Sequence, residues 1–102
     1  MARQIIWTEI AFRDLEAAAD FITQDSPAYA AALVGEVREA ARALATFADR
    51  GRVVPEYGDD SIRELFIGSY RLIYRVDSDR VTILALIHGA RDLAGVARPP
   101  LT

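Results

Sequence analysis

Residues 70–92 read YRLIYRVDSDRVTILALIHGARD. Two β-prone runs, 70–77 and 80–88, flank Ser78-Asp79, a pair with the length and polarity of a tight hairpin turn. Just upstream, residues 61–67 (SIRELFI) form a third such run, and Gly68-Ser69 supplies the turn that joins it to Tyr70. Because side chains alternate along a strand, two two-residue turns fix both a register and two faces. One face collects Leu65, Ile67, Tyr70, Leu72, Tyr74, Val76, Val81, Ile83, Ala85 and Ile87, with Arg63 at its end. The other collects Ile62, Glu64, Phe66, Arg71, Ile73, Arg75, Thr82, Leu84, Leu86 and His88. A one-residue slip would drive charge into the core, so the first face is expected to be buried and the second open. Arg91 lies beyond the last strand, where alternation does not place it.

Upstream, RQIIW (3–7) reads as a short first strand. Thr8 is an N-cap residue with Glu9 favourable in the first turn after it. Ala11, Leu15, Ala18 and Ile22 then recur at helical spacing and predict a helix over 9–24. Ser26-Pro27 is an N-cap followed by proline at the first helical position. It opens a second stripe of Leu33, Val37, Ala40, Leu44 and Phe47, which predicts a helix over 27–48. So short a connection between helices favours an antiparallel hairpin. DRGRVVPEYGDDS (49–61) is rich in turn formers and reads as a connection. The expected order is β-α-α-β-β-β: an α+β fold with a small antiparallel-type sheet and an N-terminal αα-hairpin packed on one face. One domain over 1–102 is expected, with a loose tail over 93–102.

The composition is 52% hydrophobic and 26% charged, which is ordinary for a globular chain. Cysteine is absent, which removes disulfides, Cys-based metal sites and thiol nucleophiles. No stretch has the signature of a secretory leader, and none approaches the ~18 apolar residues of a membrane span. A cytoplasmic protein with no membrane association is expected. A net charge of −3 and a pI near 5.0 disfavour general nucleic-acid binding, and no sequence-specific DNA contact is expected of this chain alone. All 12 basic residues are arginine, so no mechanism here can use lysine.

The expected open face joins an apolar set, Ile62, Phe66, Ile73, Leu84 and Leu86, to Glu64, Arg71, Arg75 and His88. So much apolar surface on a small protein points to a partner that covers it. The charged set has the residue types of phosphoryl chemistry, since arginine grips phosphate bidentately and His or Glu can move protons. The same residues also make ordinary cross-strand pairs. No Gly-rich phosphate loop is present, no metal ligand set is expected, and no cofactor is implied.

Five segments, in this order and spacing, resemble the RelE/ParE superfamily of small bacterial toxins from type II toxin–antitoxin systems. They are WTEIAFRDLEAAADFI (7–22), SPAYAAALVGEV (26–37), GRVVPE (51–56), RELFIGSYRLIYRV (63–76) and VTILALIHGARDL (81–93). The resemblance implies a growth-arresting toxin with a cognate antitoxin as partner, wrapped along the sheet and helical hairpin. It implies one of two targets, DNA gyrase for ParE-like members or the ribosome and its mRNA for RelE-like endoribonucleases. In the second case Arg71 and Arg91 would be catalytic arginines, with Glu64 or His88 moving protons. The lysines of that constellation fall near Ile62 and Glu64, and its C-terminal tyrosine has no counterpart after Tyr74. His88, Asp92 and Leu93 match the ending of ParE-like strands, so the resemblance leans to ParE and to inhibition without chemistry. Ile62, Phe66, Ile73, Arg75, Leu84 and Leu86 would then bind partners.

Overall fold

The computed structural model describes residues 2–89, in the order β1 (Gln4–Trp7), α1 (Glu9–Thr23), α2 (Pro27–Ala43), β2 (Arg52–Val53), β3 (Ile62–Ile67), β4 (Tyr70–Val76) and β5 (Arg80–His88). Arg91 and the expected tail lie outside the described residues. The strands form one sheet in the order β1-β5-β4-β3-β2. β2 to β5 are antiparallel neighbours, while β1 joins β5 in parallel, so the sheet is mixed. The fold class is α+β, as the sequence predicts. Strand β2 is the one element that was not expected, since a two-residue strand inside a turn-rich segment has no periodicity to reveal it.

Both helices start where their caps require. The Thr8 hydroxyl accepts from the Ala11 amide at 3.1 Å and donates to the Ile83 carbonyl at 2.9 Å, tying the start of α1 to β5. Ser26 accepts from the Tyr29 amide ahead of Pro27. Where β1 ends, the outer edge of β5 is not left bare, because Asp14 of α1 accepts from the Leu86 amide at 3.0 Å. Helix α2 ends at Ala43, five residues before its predicted end. The amides of Leu44, Ala45 and Thr46 reach back only three residues, a tighter winding that rotates the apolar stripe. Leu44 and Ala48 stay buried, but Phe47 is turned out to 61% exposure rather than entering the core.

The hairpin β3–β4 has the predicted register at all its pairs, including Glu64 opposite Ile73 and Phe66 opposite Arg71. The hairpin β4–β5 keeps it only as far as Tyr74 opposite Ile83. The next pair is Ile73 opposite Ala85, so Leu84 is an extra residue, a β-bulge. Beyond it every side chain of β5 changes face. Leu86, expected on the open face, joins the core beneath the helices with Leu33, Val37 and Leu72. His88 likewise sits opposite Tyr70, on the helix side of the sheet. Ala85 and Ile87 pass the other way and pack in a second apolar cluster with Val54, Ile62, Ile73 and Leu84. The face expected to be open is therefore closed by the chain's own residues 54–61.

Tyr74 fastens the connection between the helices and the sheet. Its buried hydroxyl accepts from the Gly51 amide at 2.8 Å and donates to the Ala48 carbonyl at 3.0 Å. A side chain on Gly51 would run into that hydroxyl and the Glu64 carbonyl. Tyr74→Phe strands one buried donor and one buried acceptor. It is expected to lower unfolding stability by about 1–3 kcal/mol, seen as a lower urea midpoint with an unchanged slope.

Candidate functional site

Glu64 lies in mid-β3, with its neighbours on the same face, Ile62 and Phe66, on either side. Its side chain has no exposure to water, so its charge must be met inside the protein. Two arginines meet it. Arg52, directly opposite on β2, donates its Nε to Oε2 at 2.7 Å. Arg71, from β4, donates to Oε1 through Nε at 2.5 Å, with Nη2 also in contact. The other side of the Arg71 guanidinium is taken by Glu56, through paired hydrogen bonds of 3.0 and 3.1 Å. The result is a continuous chain, Arg52–Glu64–Arg71–Glu56, of two arginines and two glutamates. Phe66 caps it, with the guanidinium carbon of Arg52 5.2 Å from the ring centre and that of Arg71 5.9 Å.

This network sets the local electrostatics. The paired hydrogen bonds it donates to Glu56 hold the Arg71 guanidinium even more firmly protonated than an ordinary arginine, against the opposing effect of burial. Reciprocally, the Arg71 hydrogen bond holds the Glu56 carboxyl below the usual carboxylate range, with smaller help from the charge of Arg52. Burial, reinforced by the Glu56 charge, pushes the Tyr57 hydroxyl upward.

Of the four residues expected to act together as catalysts, only two meet. Glu64 and Arg71 are salt-bridged to each other and buried. His88 is on the opposite side of the sheet, its ring 5.5 Å from that of Tyr70 in an edge-on contact. Arg91 lies outside the described residues. Of the six expected partner-binding residues, Ile62, Ile73, Leu84 and Leu86 are each at most 4% exposed. Phe66, at 57%, is the one that is fully presented, and Arg75 is half-buried with Asp77 3.8 Å away. Sequence reasoning missed Glu56 and Arg52. A mid-strand glutamate between apolar neighbours signals a buried carboxylate in need of cations, and that signal could have found Arg52.

A second feature lies on the other side of the molecule. Three depressions share walls along the seam where β1, α1 and α2 meet. The largest has a volume of about 290 Å³ and is lined by Trp7, Phe12, Leu15 and Arg38. The groove continues toward Ala19 and Val34 at one end and toward Ile5 and Ala41 at the other. Phe12 is 55% exposed. Glu16 and Asp20 line the α1 wall, and Arg38 and Arg42 the α2 wall.

A helical hairpin on one face of a sheet ordered β1-β5-β4-β3-β2 is the architecture of the RelE/ParE superfamily of toxins. Residues 5–93 match the family described as ParE toxin of type II toxin–antitoxin system, parDE, and the chain belongs to that family. It is 35% identical over 89 residues to Toxin RelE2 of Caulobacter vibrioides, covering 86% of this chain and 97% of that protein. Its fold matches a chain of the chromosomal ParDE system of P. aeruginosa with a TM-score of 0.69 at 23% identity, covering 85% of this chain and 96% of that one. It also matches a chain of the RelBE2 toxin–antitoxin complex of Mycobacterium tuberculosis with a TM-score of 0.59 at 26% identity, covering 86% and 99% respectively.

The depressed Glu56 carboxyl has a consequence for acid stability. A carboxylate whose folded pKa lies below its unfolded value of about 4.3 contributes stability that is complete above that value. The contribution is lost as pH falls through the folded value. Glu56 faces Arg71, Arg52, Glu64 and Tyr57, and its charge is favoured by the arginines, Arg71 first, and by its own backbone amide. The melting temperature of the wild type is therefore expected to fall more steeply than that of Glu56→Gln between pH 5 and pH 3. Parallel curves would mean that Glu56 plays no part in the acid response.

Proposed function

We propose that this chain is a growth-arresting toxin held inactive by a cognate antitoxin in the cytoplasm, and that it acts by binding DNA gyrase rather than by cutting RNA. The observation that carries this reading is the closure of Arg71. A phosphate-gripping arginine must offer donors to solvent, but Arg71 is buried and its guanidinium is shared between two carboxylates. The positions where a nuclease of this superfamily would place lysines fall near Ile62 and the buried Glu64. His88, the candidate proton carrier, is on the other side of the sheet. Inhibition by protein contact needs none of these groups.

The groove between α1 and α2 suits the antitoxin. It is apolar along its floor, with carboxylates on one wall and arginines on the other, and Arg38 has no ion-pair partner among the described residues. An amphipathic helix fits such a groove with apolar residues downward, acidic ones facing Arg38 and basic ones facing Glu16 and Asp20. The sheet edges at β1 and β2 remain available for strand addition by the same partner.

Arg71→Ala does not separate the two targets. It leaves the buried Glu64 with one arginine, and breaking such a pair costs about 3–5 kcal/mol, so loss of toxicity could reflect unfolding. The direct test is a supercoiling assay with purified toxin and gyrase, run beside a transcript-wide map of mRNA 5′ ends after brief induction. Inhibited gyrase with intact messages is expected, while new cuts at a fixed position within translated codons would replace this reading with that of a ribosome-dependent endoribonuclease. For the antitoxin, Phe12→Ala is expected to weaken binding about 30-fold or more, as for an aromatic hot spot worth at least 2 kcal/mol. Titration calorimetry would measure this, and unchanged affinity would move the antitoxin elsewhere.

A further inference from the structure

Residues 54–61 leave the sheet after β2, cross the face opposite the helices and re-enter at β3. The two ends are fixed, since the Val54 amide donates to the Ile62 carbonyl at 3.0 Å and Val54 is fully buried. Near the return, Asp59 accepts from both the amide and the hydroxyl of Ser61. The middle is held differently. Pro55, Glu56, Gly58, Asp59 and Asp60 are exposed and Tyr57 is half-buried, and the side chains of Glu56 and Tyr57 bind this stretch to the sheet. Glu56 clasps Arg71, and Tyr57 packs on the cluster of Ile62, Ile73 and Leu84. The helices fill the opposite face and do not contribute to this cluster.

The strap therefore carries a ligand for the surface beneath it, an acidic residue followed by an aromatic one. If it lifts, Arg71 keeps Glu64 and loses its second carboxylate, while Ile73 and Leu84 lose their cover. Such a surface has room for one kind of occupant, a segment that replaces the carboxylate and the apolar side chain together. Phosphate would answer the arginine but not the apolar cluster beside it.

We propose that residues 54–61 form an autoinhibitory strap, clasped by Glu56 on Arg71, which covers a binding surface for a partner-protein segment that presents a carboxylate next to an aromatic or large apolar side chain. The proposal rests on the reading that this toxin works through protein contact. Strap and partner segment compete for one seat, so weakening the clasp raises the competent population and with it the apparent affinity. The strap opens as a local unit, without unfolding of the core, because its middle has few apolar anchors.

The test uses the full chain as wild type, Glu56→Gln and Glu56→Asp; the last keeps the charge but shortens its reach. Hydrogen exchange reads opening at the amides of Tyr57 and Gly58, both bonded to the Val54 carbonyl in the closed strap. Exchange there is expected to rise at least tenfold in both variants, while the helices keep wild-type protection. The binding probe is a synthetic peptide of residues 54–61, VPEYGDDS, added at millimolar concentration. It is expected to shift the amide resonances of Arg71, Ile73 and Leu84 in the variants at least tenfold more than in the wild type, and a peptide with Gln in place of its glutamate should shift them less. Unchanged exchange in both variants would overturn the clasp, and equal or absent peptide shifts in wild type and variants would overturn the covered site. The assay contains neither gyrase nor ribosomes, so its failure falls on the strap and not on the choice of target.

Discussion

A carboxylate with no access to water cannot stay charged inside a protein unless cations meet it, and Glu64 is such a group. Much of the face opposite the helices is arranged around that requirement. Arg71 must lie diagonally from it on β4, opposite Phe66, and Arg52 directly across from it on β2, which makes the two-residue β2 more than a chance pairing. Arg71 in turn has donors left over in a buried place, and these draw Glu56 down and bring residues 54–61 with it. Tyr57 then arrives over Ile73 and Leu84, and a face that would be wet becomes a second small core. Sheet, strap and network are one construction, with the charge of Glu64 at its origin.

The same dependence explains what could be read from the sequence. The caps at Thr8 and Ser26, the helical stripes and the register of β3 against β4 are local, set by residues a few positions apart, and they were legible. The β-bulge at Leu84 was not. Alternating apolar and polar residues would mark the change of face, but 83–87 (ILALI) is apolar throughout and either parity satisfies it. That one residue moved Leu86 and His88 across the sheet and separated His88 from Arg71. The strap was also hidden, because its place depends on a contact between Glu56 and Arg71, 15 residues apart, and nothing in VVPEYGDDS marks it as other than a turn. The residues of the candidate site were thus largely visible as residue types and only partly as an arrangement. Glu64 and Arg71 do meet, but as partners that satisfy each other.

Fold and family leave the choice of target open, since toxins of both activities share this architecture. The distinction has to come from what the sheet face offers. An enzyme site keeps its charged groups short of full satisfaction, so that substrate or transition state completes them. Here the side chains are completed in advance: among the described residues, no buried side-chain nitrogen or oxygen lacks a hydrogen-bond partner. With its side chains so completed, the closed surface is poorly prepared to stabilise a developing charge on phosphorus.

The choice of arginine at position 71 follows from geometry and needs no catalytic explanation. Glu64 and Glu56 approach the guanidinium from different sides, one through Nε and Nη2, the other through Nη1 and Nη2. A planar group with five donors in fixed directions can serve both at once. A lysine ammonium is a compact point charge and cannot present paired donors to two carboxylates in this way. Arg71→Lys should thus fail structurally, by releasing one glutamate, under either reading of the target. The arginine that the superfamily resemblance marks for catalysis is, in this chain, the residue on which closure of the sheet face depends. A single side chain cannot readily both clamp two internal carboxylates and yield its donors to a phosphate, and this conflict weighs most heavily for a toxin that acts by contact.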